Sequence, residues 1–258
     1  MGDLGVRLIS GIIGLALLIG VLLLGGYYLG FALLALAIIA LKEFYNAVNK
    51  IGIKPLSVIG YGGTVLLYIA QYSETITSGF IISLCVIASL SATVLLNDRD
   101  IRDAAITVIG ILYIPYLLFH ILYLDGSNYL WIIFLIAFGT DTFAYLVGSK
   151  FGNKKLCPEI SPKKSVEGAL GGIAGSILVT MVYSSFFDLS PLWSFGILAL
   201  VGSIISQLGD LTASRIKRIA GIKDYGKIMP GHGGMMDRFD SIIFTAPVVY
   251  YYAYYFFM

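Results

Sequence analysis

Residues 8–24 read LISGIIGLALLIGVLLL, a run without one charged side chain, and Arg7 stands directly before it. As a helix rising about 1.5 Å per residue, such a run approaches the roughly 30 Å of a bilayer's hydrocarbon core. It is long for the apolar core of a secretion signal and no small-residue cleavage pattern follows, so it reads as a retained span. Outward from it, similar runs recur near 27–46, 56–72, 77–96, 104–123, 128–147, 166–187, 192–213 and 240–258. With 58% hydrophobic residues, 12% charged and a mean hydropathy of +0.89, a chain of 258 residues has more apolar surface than a soluble fold can hide. The expected fold class is all-α: a polytopic integral membrane protein with about nine transmembrane helices.

The connections set the expected topology. With the N-terminus in the cytoplasm and sides alternating, the inner side receives Arg7; Lys42, Lys50 and Lys54; Arg99 and Arg102; Lys150, Lys154, Lys155, Lys163 and Lys164; and Arg215, Lys217, Arg218, Lys223, Lys227 and Arg238. These are all 17 basic residues, while the outer connections hold Glu74, Asp125 and Asp188. An excess of Lys and Arg inside is the rule for membrane proteins, so the reading is N-terminus cytoplasmic and C-terminus outside. A net charge of +2 is too small to imply nucleic acid. Cys85 and Cys157 fall at different depths and neither lies near a second ligand such as His, so both are expected to be free and structural.

The chain also divides by chemical content. Up to about residue 130 the spans read as bland, and beyond it acids and amides enter them. Residues 1–130 are thus expected to be a transmembrane scaffold and 131–258 a transmembrane catalytic region. Gly168, Gly171, Gly172, Gly175 and Ser176 offer a small-residue face where helix backbones can approach closely in lipid.

Three stretches carry chemistry. The first is FGTDTFAY, 138–145, where Asp141 lies in an apolar span. A carboxylate at that depth is costly unless paired or facing water, which marks it as functional; a helix-packing hydrogen bond is the plainer explanation. The second is SPKKSVEG, 161–168. Ser161 can cap a helix that starts at Pro162, with Ser165 as a competing cap. Lys163 and Lys164 would then lie in a first turn where the helix dipole is already positive, which suits bound phosphate, with Glu167 close by. A basic loop attracted to anionic lipid is the simpler alternative.

The third runs from Gln207 to Asp240. Gln207, Asp210, Ser214 and Lys217 recur at three- and four-residue intervals and share a helix face. A glycine-rich loop follows, and the chain re-enters lipid at Asp237, Arg238 and Asp240. Asp210 and Asp237 thus lie on consecutive helices joined by a short loop, and can converge. Hard oxygen ligands among basic residues suit Mg²⁺ and a polyphosphate, with Lys217, Arg218, Lys223 and Arg238 to balance charge. A basic juxtamembrane loop accounts for the lysines but not for the acids among them. His232, between glycines, could be a ligand, a base or a phosphate donor.

Residues 214–240 resemble the diagnostic motif of the CTP-dependent phosphatidate cytidylyltransferases, or CDP-diacylglycerol synthases. Ser214, Lys217, Arg218, Lys223, Asp224, Gly226, Pro230, His232, Gly233, Gly234, Asp237, Arg238 and Asp240 carry the match, and Met229 stands where the family usually has Leu, Ile or Phe. The stretches around Asp141 and Lys163 also resemble family segments, so the motif-level match spans roughly 139–240; the N-terminal half matches in general character only. The resemblance implies a membrane-bound homodimer in the bacterial inner membrane, its active site facing the cytoplasm. It implies CTP and phosphatidate as substrates, Mg²⁺ on Asp210 and Asp237, and a monovalent cation such as K⁺ beside it. Asp210, Asp237, Lys223 and Arg238 become the expected catalytic residues. Lys163, Lys164, Ser165, Glu167, Ser214, Lys217, Arg218, His232 and Asp141 become the expected substrate contacts.

Two other functions use similar parts: a CTP-dependent lipid kinase acting on a polyprenol or phytol, and a transporter of an anionic lipid. The transporter reading is weakened because the polar groups cluster on one side, without matching broken helices in two halves.

Overall fold

The structure, a computed structural model, describes residues 3–228, 231 and 233–257. Among these the chain forms nine α-helices: α1 (Asp3–Leu24), α2 (Gly26–Asn49), α3 (Ser57–Ala70), α4 (Ser78–Leu95), α5 (Ile101–Ile111), α6 (Asn128–Phe151), α7 (Val166–Phe186), α8 (Leu192–Ile219) and α9 (Met236–Phe256). Each expected span has a helix. Among the described residues, six segments are long and apolar enough to cross a membrane by length and composition, counting Ile101–Leu124 as one; Ile9–Leu24 of α1 and the 14-residue α3 are shorter apolar stretches. Large apolar side chains such as Val94, Phe186 and Phe256 stand outward on the helices. In water such a surface would be an aggregation liability, and in a bilayer it is the lipid contact. The protein is an all-α polytopic membrane protein.

Two local features depart from uniform helix. After α5 the chain widens into a π turn at Leu112–Tyr116, with Pro115 inside it, and then tightens into a 3₁₀ turn at Phe119–Leu124. Proline lacks the N–H that an α-helix would use and crowds the carbonyl one turn back, so the turn opens there. The second feature is a small antiparallel hairpin, β1 (Lys155–Cys157) with β2 (Ser161–Ser165), where a loop and a helix start were expected.

The chain forms two compact units. One comprises Met1–Asp125 with Ile216–Phe239, the other Gly126–Arg215 with Asp240–Met258. In the first, the spans read as bland hold buried polar groups. Glu43 and Asp103 are both 5% exposed. Asp103 accepts from the Lys54 N–H at 2.6 Å, and the Tyr45 hydroxyl donates to the Thr107 carbonyl at 2.9 Å. The spans read as bland thus contain at least two buried acids, Glu43 and Asp103. Hydrogen bonding offsets the cost of burying such groups, but the acids themselves are conspicuous.

In the second unit, α7 lies against α6 along its small-residue face. A side chain at Gly172 would come within 2.7 Å of the Thr140 carbonyl oxygen, and one at Gly168 within 2.8 Å of the Ala144 carbonyl oxygen. Gly171 and Gly175 sit against Val147 and Phe143. This is the close backbone approach that lipid-embedded helices use in place of a hydrophobic driving force. Cys85 is buried, Cys157 lies on β1, and both are free.

Candidate functional site

The predicted site residues fall into two clusters, one in each unit. In the second unit the cluster starts at the hairpin. Ser165 caps α7, its hydroxyl oxygen accepting from the Gly168 N–H at 3.1 Å. The competing cap therefore prevails, and the expectation that Ser161 and Pro162 begin the helix is corrected. Pro162 lies in β2, a two-stranded edge where a missing N–H is tolerated. Glu167, in the first turn of α7, reaches back to the N–H groups of Asn153 at 3.1 Å and Lys154 at 3.2 Å. An acid there complements the helix dipole. The lysines thus stand on an extended strand ahead of the helix instead of in its first turn.

From that strand Lys164 forms an ion pair with Asp210 Oδ2 on α8, and Ser214, one turn further along α8, donates to Asp210 Oδ1 at 3.3 Å. The Lys164 and Asp210 side chains are 27% and 25% exposed, so this cluster is open to solvent. Lys163 is exposed on β2, and Asp141 is exposed on α6. Gln207 of α8 is buried and donates to the Ala169 carbonyl at 3.3 Å.

In the first unit the cluster surrounds Asp237, in the opening turn of α9. Its Oδ2 accepts from the N–H of Tyr225 at 2.8 Å and of Gly234 at 2.9 Å, and its Oδ1 binds Lys217 Nζ at 2.7 Å. Lys217 also lies 5.5 Å from the centre of the Tyr225 ring, where the π face favours a cation. Gly233 has φ +87°, and a side chain there would meet Asp237 Oδ2 at 2.9 Å, so both backbone shape and space require glycine. Lys223, Asp224, Arg218 and Arg238 are exposed. His232 and Pro230 lie outside the described residues, as does Met229.

One residue of this cluster escaped the sequence reading. Glu43 of α2 accepts from the Met235 N–H at 3.1 Å and the Met236 N–H at 2.8 Å, at the start of α9. The signal was available, since Glu43 is an acid inside an apolar run, which is the argument that singled out Asp141.

Each cluster, taken by itself, holds one carboxylate of the kind a hard divalent cation binds. Asp210 and Asp237 supply carboxylate oxygens, and on each one an ammonium group, from Lys164 and Lys217, takes a position that a cation could take. No three His, Cys, Asp or Glu side chains gather as a metal cluster among the described residues.

A model of the Cytidylyltransferase family matches residues 5–256. The chain belongs to the Cytidylyltransferase family. It is 40% identical over 255 residues to the phosphatidate cytidylyltransferase of Staphylococcus epidermidis, covering 95% of this chain and 96% of that protein. It is 38% identical over 261 residues to the enzyme of the same name from Staphylococcus haemolyticus, and 36% over 252 residues to that of Staphylococcus aureus, with the same coverage. The family likeness, read from 139–240, thus extends through the N-terminal half, where Glu43 lies.

Proposed function

We infer that this membrane protein transfers CMP from CTP to phosphatidate, giving CDP-diacylglycerol and pyrophosphate for phospholipid synthesis. The observation that carries the reading is 36–40% identity to phosphatidate cytidylyltransferases across 95% of the chain. The paired lysines and aspartates supply groups that such a transfer needs.

A phosphatidate oxygen attacks the α-phosphorus of CTP in line. The bond from that phosphorus to the oxygen bridging toward the β-phosphorus breaks, and pyrophosphate leaves. The phosphate monoester is already anionic near neutral pH, so a strong base is unnecessary. Two anions must meet, so neutralisation and positioning supply most of the catalysis. Lys163, Lys164, Lys223 and Arg238 balance the phosphate charges, with Ser214, Lys217, Arg218 and His232 as further contacts. Ser165 and Glu167 hold the hairpin that carries Lys163 and Lys164. Asp210 and Asp237 would hold Mg²⁺, which when bound withdraws charge from the triphosphate. The ammonium groups of Lys164 and Lys217 would face phosphate oxygens as well as the carboxylates they pair with. Asp141 would orient a ligand.

The distribution of the 17 basic residues supports nine spans with a cytoplasmic N-terminus and a cytoplasmic active site reached by CTP from the cytosol, and the membrane of this reading is the bacterial cytoplasmic (inner) membrane. On this reading residues 131–258 carry most of the chemistry, 1–130 are mainly scaffold, and the enzyme is a homodimer.

The test is purified protein with CTP, phosphatidate and Mg²⁺, each omitted in turn. Label from α-³²P CTP is expected in lipid only when all three are present. Label entering lipid from γ-³²P CTP alone would identify a lipid kinase, and absence of any CTP turnover would leave transport.

A further inference from the structure

The geometry points to Glu43 as a positioning residue that sets the first turn of α9 and thereby aims Asp237. Glu43 is 5% exposed, and its carboxylate holds two adjacent backbone N–H groups, Oε1 that of Met235 and Oε2 that of Met236. A helix start has orphan N–H donors and a positive dipole end, so a carboxylate supplied by another helix does the work of a cap there. Glu43 also shapes the loop itself. Gly226 and Gly234 both lie against its carboxylate, and a side chain at Gly234 would stand 2.6 Å from Glu43 Cδ. Gly234 is bound on its other side by Asp237, which accepts its N–H. Two carboxylates, one from α2 and one from α9, thus hold the same turn. Any slackness at Glu43 passes to Asp237 through Gly234, Met235 and Met236.

This inference rests on the proposed role of Asp237, and deepens it: α2, in the half read as scaffold, supplies a residue on which catalysis depends. Outer partners of functional ligands typically cost about 10- to 100-fold in activity or metal affinity when removed. Glu43→Gln keeps the shape but turns an amide N–H toward a backbone N–H. It is expected to lower kcat by roughly that factor and to speed amide hydrogen exchange in peptides covering 233–240, measured without substrate. Exchange in peptides from α3 and α4 is expected to stay as in the wild type. Gly234→Ala presses on the same carboxylate from the loop side, leaves α2 intact and should give the same two changes. It serves as the second variant if the first misfolds. Wild-type kcat in both variants would overturn the inference, and so would a fall in kcat with unchanged exchange at 233–240. Because exchange is read without substrates, a failed activity assay for the wild type would count against the proposed reaction and leave the exchange result to judge Glu43.

Discussion

Asp237 and Asp210 are each paired with one lysine, yet they are held in opposite ways. Asp237 is locked: its side chain is 3% exposed, Lys217 beside it is 12% exposed, and two backbone N–H groups fix the other oxygen. Asp210 is held loosely, since it and Lys164 are about a quarter exposed and its second contact is a hydroxyl at 3.3 Å. A buried pair is costly to assemble and more costly to break by removing one member, whereas an exposed pair contributes little. The comparison teaches that Asp237, whatever its part in the proposed chemistry, belongs to the architecture of its loop. Asp210 can change partners at small cost, which fits the ligand-meeting role proposed for it.

The largest effect should follow Asp237→Ala, which leaves Lys217 and two N–H groups without their acceptor. Loss of about 3–5 kcal/mol of stability is expected from the broken buried pair. Activity is expected to fall by roughly 10²- to 10³-fold or more. Thermal unfolding in detergent and the radiolabel assay check the two separately. Lys217→Met comes next, with a comparable loss of stability, about 3–5 kcal/mol, because it strands a buried carboxylate. Equal stability of Lys217→Met and the wild type would break the contrast between the two aspartates.

Asp210→Asn should separate function from stability. Its melting behaviour is expected to stay within about 1 kcal/mol of the wild type, while kcat falls at least tenfold or so. The double variant Lys163→Ala with Lys164→Ala should leave stability nearly unchanged and raise KM for CTP or phosphatidate, read from steady-state kinetics. The smallest effect belongs to Ser165→Ala, about 1 kcal/mol from a lost helix cap, with activity changing only as far as the hairpin shifts.

The helices were legible because lipid imposes long apolar runs, and a helix formed at each such run. The small-residue face of α7 was legible for a related reason: Gly168, Gly172 and Ser176 recur every four residues, the spacing of one helix stripe. The hairpin at 155–165 was not, since KLC and SPKKS are too short and too polar to show a two-residue alternation, and the Ser-Pro pair imitates a helix start. The break after α5 was signalled by Pro115 but passed within a continuous apolar run. Glu43 was marked in the sequence as an acid in an apolar run, but what it holds was not legible, because its partners are backbone N–H groups nearly two hundred positions away and backbone donors leave no trace in a sequence.

The most direct measurement is Mn²⁺ binding, followed by electron paramagnetic resonance with CTP present, to the wild type, Asp210→Asn and Asp237→Asn. One tight site in the wild type, weakened about tenfold or more in each variant, is the expected result if both carboxylates serve the same divalent ion. Wild-type affinity in both variants would contradict it.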